Sequence, residues 1–162
     1  DKGDRYPVET VSWDEAQEFI GNLNSKGKIT FRLPTEAEWE YACRSGGKNE
    51  RYSGGNNVDD VAWYYGNSGN STQPVGQQCH NGLGLYDMSG NVLEWVNDWY
   101  DEKYYAKSPR DNPIGASEGS FRVFRGGNYF GHHLEVRSAF RRGFKRGFRD
   151  KGNGFRLLMV KP

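Results

Sequence analysis

Cysteine is nearly absent from this chain: Cys43 and Cys79 are the only two, and none lies between Arg125 and Pro162. Two thiols make no disulfide framework, and Cys43, beside Tyr41 and Ala42 in a predicted helix, reads as a buried free thiol. No run approaches the roughly 18 apolar residues of a membrane-spanning helix, and the N-terminal DKGDRYP has no apolar signal region. Also missing are CxxC or HxxxH spacing, a Ser-His-Asp order and a glycine-rich phosphate loop. Asp59, Asp60, Asp98 and Asp101 read as solvated loop charges, and His80, His132 and His133 as surface residues. No catalytic group, metal or cofactor is therefore assigned. Aliphatic content is low as well: hydrophobic residues make up 35% of the chain and aromatics 15%, so the core must be built largely from Trp, Tyr and Phe, which bury much area per residue.

What the chain does have is glycine, 22 copies in 162 residues, which points to many turns and long connections. The length fits one domain, 1–162. The net charge of +1 is polarised: from Ser120 to Pro162 there are 11 Lys/Arg against 2 Asp/Glu, +9, which leaves −8 for the remainder. Such asymmetry marks either an anionic partner or arginines that tie the fold together.

Ser12 and Glu15 form a capping box, so a helix is predicted from Trp13, burying Ala16, Phe19, Ile20 and Leu23 and ending at Gly27. Ile29, Phe31 and Leu33 alternate with polar residues as a half-buried strand, stopped by Pro34. Thr35 and Glu38 repeat the capping box and open a second helix to about Arg44, with Trp39, Ala42 and Cys43 on one side and Gly46 and Gly47 at its end. Lys48 to Asn81 is polar and irregular. GLGLYDMSGNVLEWVNDWY, Gly82 to Tyr100, reads as a loop packed by Leu85, Met88, Val92, Trp95 and Trp99. The C-terminal run from Phe121 to Leu158 begins and ends on strand-like pieces, Phe121 to Arg125 and Phe155 to Val160. Between them stand phenylalanines, histidines, glycines and arginines in a mixture that no core would select. Phe140, Phe144 and Phe148 fall at helical spacing, but Gly143 and Gly147 each cost about 1 kcal/mol in a helix, so no helix is predicted there.

VETVSWDEAQEF, FRLPTEAEWEYACRSG, GLGLYDMSGNVLEWVNDWY and the closing pattern RVFRGG…RSA…GFRL together resemble the formylglycine-generating enzyme family, in this order and over nearly the whole chain. The resemblance implies an α+β, C-type lectin-like fold of the formylglycine-generating-enzyme subtype, with two N-terminal helices, a small antiparallel sheet and much irregular structure. In the family the oxidase chemistry rests on two closely spaced copper-binding cysteines after RGG. This chain has none there, so the resemblance does not carry that activity, and a sulfoxide-synthase role would need a separate His-bearing domain. In the SGNVLEW turn some enzyme relatives bind calcium, a role the resemblance would give Asn91 and Glu94.

The remaining branch the sequence resembles is that of the variable proteins of diversity-generating retroelements, whose C-terminal segment is rewritten at template adenines. Asn codons of the form AAY become NNY there, so that Lys, Glu, Trp, Met and Gln cannot arise. Arg125, Gly126, Gly127, Arg137, Ser138, Ala139, Arg141, Arg149, Gly154, Phe155 and Arg156 match the constant frame. Phe130, Gly131, His132, His133, Phe140, Arg142, Gly143, Phe144, Gly147, Phe148, Asp150 and Gly152 are all of the NNY set. Glu135, Lys145 and Lys151 are not, and are assigned to the fixed template. The resemblance thus implies a non-enzymatic display protein with 125–157 as its variable segment. Its ligand-binding residues would be Tyr129, Phe130, Gly131, His132, His133, Phe140, Arg142, Gly143, Phe144, Phe148, Asp150 and Gly152. The expected partner is a protein or other macromolecule with an acidic face, bound by a soluble, monomeric chain suited to cell-surface or secreted display. Two alternatives stand beside this one. One is a cysteine-free pseudoenzyme relative acting as an accessory domain; the other is a basic aromatic RNA-binding module.

Overall fold

A computed structural model describes residues 3–160. Both capping boxes form. Ser12 Oγ accepts the Glu15 N–H at 3.2 Å while the Glu15 carboxylate accepts the Ser12 N–H at 2.9 Å, starting α1, Trp13–Lys26. Thr35 and Glu38 do the same for α2, Glu36–Cys43. Between them lies β1, Thr30–Arg32. A short α3, Val58–Val61, interrupts the long polar region. On α1, Ala16 and Ile20 are buried, but Phe19 is half exposed, its ring edge-on to Phe155 at 5.8 Å.

The largest departure from the sequence reading lies in the GLGLYDMSGNVLEWVNDWY stretch. Its second half is no loop but β2, Leu93–Trp99, the longest strand among the described residues. Leu93 to Val96 are all buried, so the strand lacks the alternation that marks a half-exposed one. A four-stranded sheet forms around it in the order β4-β3-β2-β5, with β3 Arg122–Arg125, β4 Arg141–Phe144 and β5 Asn153–Phe155. β4, β3 and β2 are antiparallel, as expected, and β5 adds to β2 in parallel. The predicted closing strand, Phe155 to Val160, is thereby broken: Phe155 ends β5 in the main sheet, and β6, Leu158–Val160, pairs antiparallel with β1.

The core is aromatic. Trp95 and Phe124, opposite each other on β2 and β3, stack at 3.6 Å between ring centroids among Ile20, Leu33 and Leu93. A second cluster gathers Trp39, Cys43, Met88, Val96 and Val123. The RGG turn leaving β3 requires glycine. Gly127 has φ +71°, and a Cβ there would lie 2.5 Å from the Glu135 carbonyl oxygen, so the chain closes back on itself only without a side chain.

Candidate ligand-binding face

Arginines tie parts of the 125–157 segment to the rest of the fold. Arg125 is fully buried. Its guanidinium donates to the Glu40 carboxylate and to the carbonyls of Ser138 and Phe140, and lies over the Trp39 ring at 5.0 Å. Arg141 makes a two-pronged pair with Glu36 at 2.7 and 2.6 Å, donates to the Asp101 carbonyl, and passes between the Tyr100 and Tyr105 rings. Arg156 grips Glu94 at 2.6 and 2.5 Å. Planar guanidinium matches carboxylate in this fork geometry, and burial strengthens the pairing. Arg137 and Arg149 do lighter work at the surface, Arg137 donating to the Leu134 carbonyl and Arg149 pairing with Glu15 at 2.7 Å.

Of the carboxylates that hold these arginines, the sequence marks Glu15 as a capping residue and Glu94 through the family calcium site, but does not single out Glu36 and Glu40. Glu36, 3% exposed, and Glu40 project from α2. Glu94 also accepts the Trp39 indole N–H at 2.6 Å, and Asn91 is bonded in both directions to the Gln73 backbone. The side chains named for a family calcium site are therefore engaged in holding the fold. Asp98 corrects an expectation directly: it is no solvated loop charge but lies on β2, 4% exposed, with Oδ2 accepting the Glu36 N–H at the start of α2 at 2.8 Å. Burial pushes its carboxyl up to about 6. Among the described residues no group of three or more His, Cys, Asp and Glu is placed to hold a metal ion.

Of the twelve predicted ligand-binding residues, a subset meets on one face. Phe130 is 44% exposed, and a Cβ on Gly152 would lie 2.6 Å from its ring. His132 donates its backbone N–H to Glu135 Oε2 at 2.9 Å, and its ring lies 4.0 Å from that of His133. Burial and the neighbouring His132, Arg51 and Arg137 lower the His133 pKa. Arg142 reaches back to Glu135 Oε1 at 3.8 Å and covers the Phe144 ring at 5.0 Å. Phe144 in turn stacks on Phe148 at 4.4 Å. Glu135 thus joins the loop to β4.

The others are placed differently. Tyr129 turns inward at 9% exposure, its backbone bonded to Asn91 and Ser68. Gly131 and Gly152 are buried and Gly143 is partly so. A Cβ on Gly143 would meet the Tyr100 ring at 2.6 Å, so this position has no clearance for a larger residue. The Asp150 carboxylate accepts the Gly152 N–H at 2.9 Å in its own turn. Phe140, Phe144 and Phe148 are half-buried rather than fully displayed, because their undersides pack on the Trp95–Phe124 core.

This architecture, two capped helices against a small mixed sheet with irregular connections, defines the formylglycine-generating type of C-type lectin-like fold. The sequence matches the sulfatase-modifying factor enzyme 1-like domain over residues 1–161, and the chain belongs to that family. Treponema denticola variable protein 1 superimposes with a TM-score of 0.90 at 31% identity, covering 98% of this chain and 72% of that one. PvdO from Pseudomonas aeruginosa does so at 0.82 and 28%, over 97% of this chain and 63% of its own. The formylglycine-generating enzyme of Streptomyces coelicolor is 40% identical over 78% of this chain and 43% of its own length. Chaperone protein LppX of Paenibacillus barcinonensis is 34% identical over 79% of this chain. The chain spans 60% of LppX's length and 24% of that of the serine/threonine-protein kinase Pkn1 of Chlamydia trachomatis, to which it is 37% identical. Among the described residues no helix is long and apolar enough to cross a membrane.

Proposed function

We propose that this chain is a ligand-binding display protein without enzymatic activity, and that residues 125–157 are its diversified segment. The observation that carries the reading is the division of labour within that segment. Arg125, Arg141 and Arg156 are locked to carboxylates on α2 and β2, whereas Phe130, His132 and Arg142 are exposed, and Arg142, Phe144 and Phe148 stack in a row. A frame anchored from beneath tolerates exchange of what lies above it. Aromatic rings with few rotatable bonds, beside arginine and histidine, are what antibody-like surfaces use for contact. Similarity over nearly the full chain to a protein named as variable supports the same reading.

The kinship with formylglycine-generating enzymes favours catalysis only if paired thiols are available. Cys43 is buried, and desolvation pushes its thiol up to about 11, which leaves it in the unreactive thiol form. Cys79 is exposed on another loop. Sequencing the surrounding DNA tests the proposal: a near-copy of the 125–157 coding segment, differing only at template adenines and lying beside a reverse transcriptase gene, is the expected result. A locus with neither would refute diversification and move the accessory-domain alternative ahead.

A further inference from the structure

One surface cleft is shared between the variable segment and the residues that precede it. This cleft, of ≈ 750 Å³, lies between Ser120 and Phe121, which precede the segment, and Phe144, Lys145, Arg146, Gly147 and Phe148, which belong to it. Its walls are fixed before any ligand arrives. Phe121 is 41% exposed while its carbonyl accepts the Tyr100 N–H at 2.8 Å. Opposite it, Phe144 and Phe148 stack on each other and rest edge-on against the buried Phe124. The turn carrying the cations is closed by the Phe148 N–H on the Lys145 carbonyl at 2.9 Å. It is pinned to the first residue of α1 by the Trp13 N–H on the Arg146 carbonyl, also at 2.9 Å. No atom lies within 4 Å of where a Gly147 Cβ would stand, so the mouth is open on that side.

The charges around this cleft are mostly positive. Lys145 is exposed and makes no ion pair among the described residues. Arg146 pairs with Asp14 at 2.9 Å, with both side chains substantially exposed. Arg122, across the β3–β4 ladder from Phe144, is held between the Trp13 and Trp99 rings, and burial, followed by the nearby Arg146, lowers its pKa. Asp14 faces Arg146 and Arg122, and Asp98 also acts on Arg122. Resting on the display reading of the same face, we infer that this cleft takes a bulky apolar side chain flanked by a carboxylate, presented by an exposed acidic segment of a partner protein. The side chain fills the space between Phe121 and the Phe144–Phe148 stack, and the carboxylate meets Lys145. A single unpaired lysine beside one shared arginine is a thin basis for tracking a phosphate backbone, whose binding scales with the number of cations engaged. For that reason the peptide is favoured over RNA. Because Ser120 and Phe121 lie outside the diversified segment and Lys145 outside the NNY set, part of the cleft stays constant while Phe144, Gly147 and Phe148 vary.

The test is panning of a random linear peptide library against the whole chain at physiological salt, followed by titration of a synthetic peptide made from an enriched sequence. Enriched peptides are expected to carry an aromatic or leucine next to Asp or Glu. They should bind Phe121→Ser and Lys145→Glu at least about tenfold more weakly than the parent, and Ile114→Ser, at an exposed residue outside the cleft, nearly as well as the parent. No enrichment, enrichment of sequences without acidic residues, equal binding to the first two variants, or displacement by poly(U) RNA would each overturn the inference. Loss in Phe130→Ser with retention in Phe121→Ser would overturn it while leaving the display reading intact. A locus without a template copy would refute diversification and leave the cleft measurable.

Discussion

Asp98 offers the sharpest test of how this fold is held together. Its carboxylate is buried beneath the loop before β3, close enough to Gly115 that a Cβ there would lie 2.5 Å from Oδ1. Burial, the leading cause, lifts its pKa to about 6 from an ordinary value of 3.8, against the hydrogen bond from the Glu36 N–H, which lowers it. A carboxyl with a raised folded-state pKa leaves the fold most stable below the unfolded pKa, and that stability is lost as pH rises through the folded value. The window is therefore about pH 4 to 6, and two units correspond to about 3 kcal/mol lost by neutral pH. Asp98→Asn retains an oxygen to accept the Glu36 N–H but cannot ionise. Allowing for the tight fit of an amide NH2 beside Gly115, the variant should be more stable than the parent by about 1–3 kcal/mol at pH 7.5. The gain should vanish or reverse at pH 4. Urea denaturation of both proteins at half-unit pH steps measures the difference directly. Titration of Glu38, held down to about 2 by Arg32, falls in a lower window and cancels between the two proteins. A difference that does not change between pH 4 and 7.5, or an Asn variant less stable at pH 7.5, would refute the reasoning.

Three further outcomes are expected. Arg125→Ala leaves Glu40 and two carbonyls without their buried donor and should cost about 3–5 kcal/mol in urea unfolding, whereas Arg142→Ser, exposed on the next strand, should change stability by less than about 0.5 kcal/mol. Equal effects would deny the division between frame and face. Gly147→Ser should be tolerated within about 0.5 kcal/mol, but Gly143→Val, driven into Tyr100, should lose about 1–3 kcal/mol by overpacking; thermal melts distinguish them, and a neutral Gly143→Val would show that the Tyr100 contact yields. At pH 8, iodoacetamide should modify Cys79 rapidly and leave Cys43 unreacted until denaturant is added, read by mass spectrometry of the intact protein; native labelling at Cys43 would contradict its burial.

The local signals were legible in the sequence because their physics is local. Ser12–Glu15 and Thr35–Glu38 mark helix starts through bonds three residues apart, and the ordered motifs identified the fold. The alternation of frame arginines with NNY residues was likewise visible in one dimension. Whatever depended on residues far apart in the chain was decided by tertiary structure. β2 could not be recognised because burial on both faces erases alternation. Asp98 looked like a loop charge because only the packing of α2 and the Gly115 loop removes it from water. Glu36 and Glu40 could not be matched to Arg141 and Arg125 across 105 and 85 residues. The sequence marked the phenylalanines as out of place; the sheet beneath them settled that Phe130 stands in solvent, while Phe140, Phe144 and Phe148 bury one side against the core around Phe124 and leave the other toward solvent.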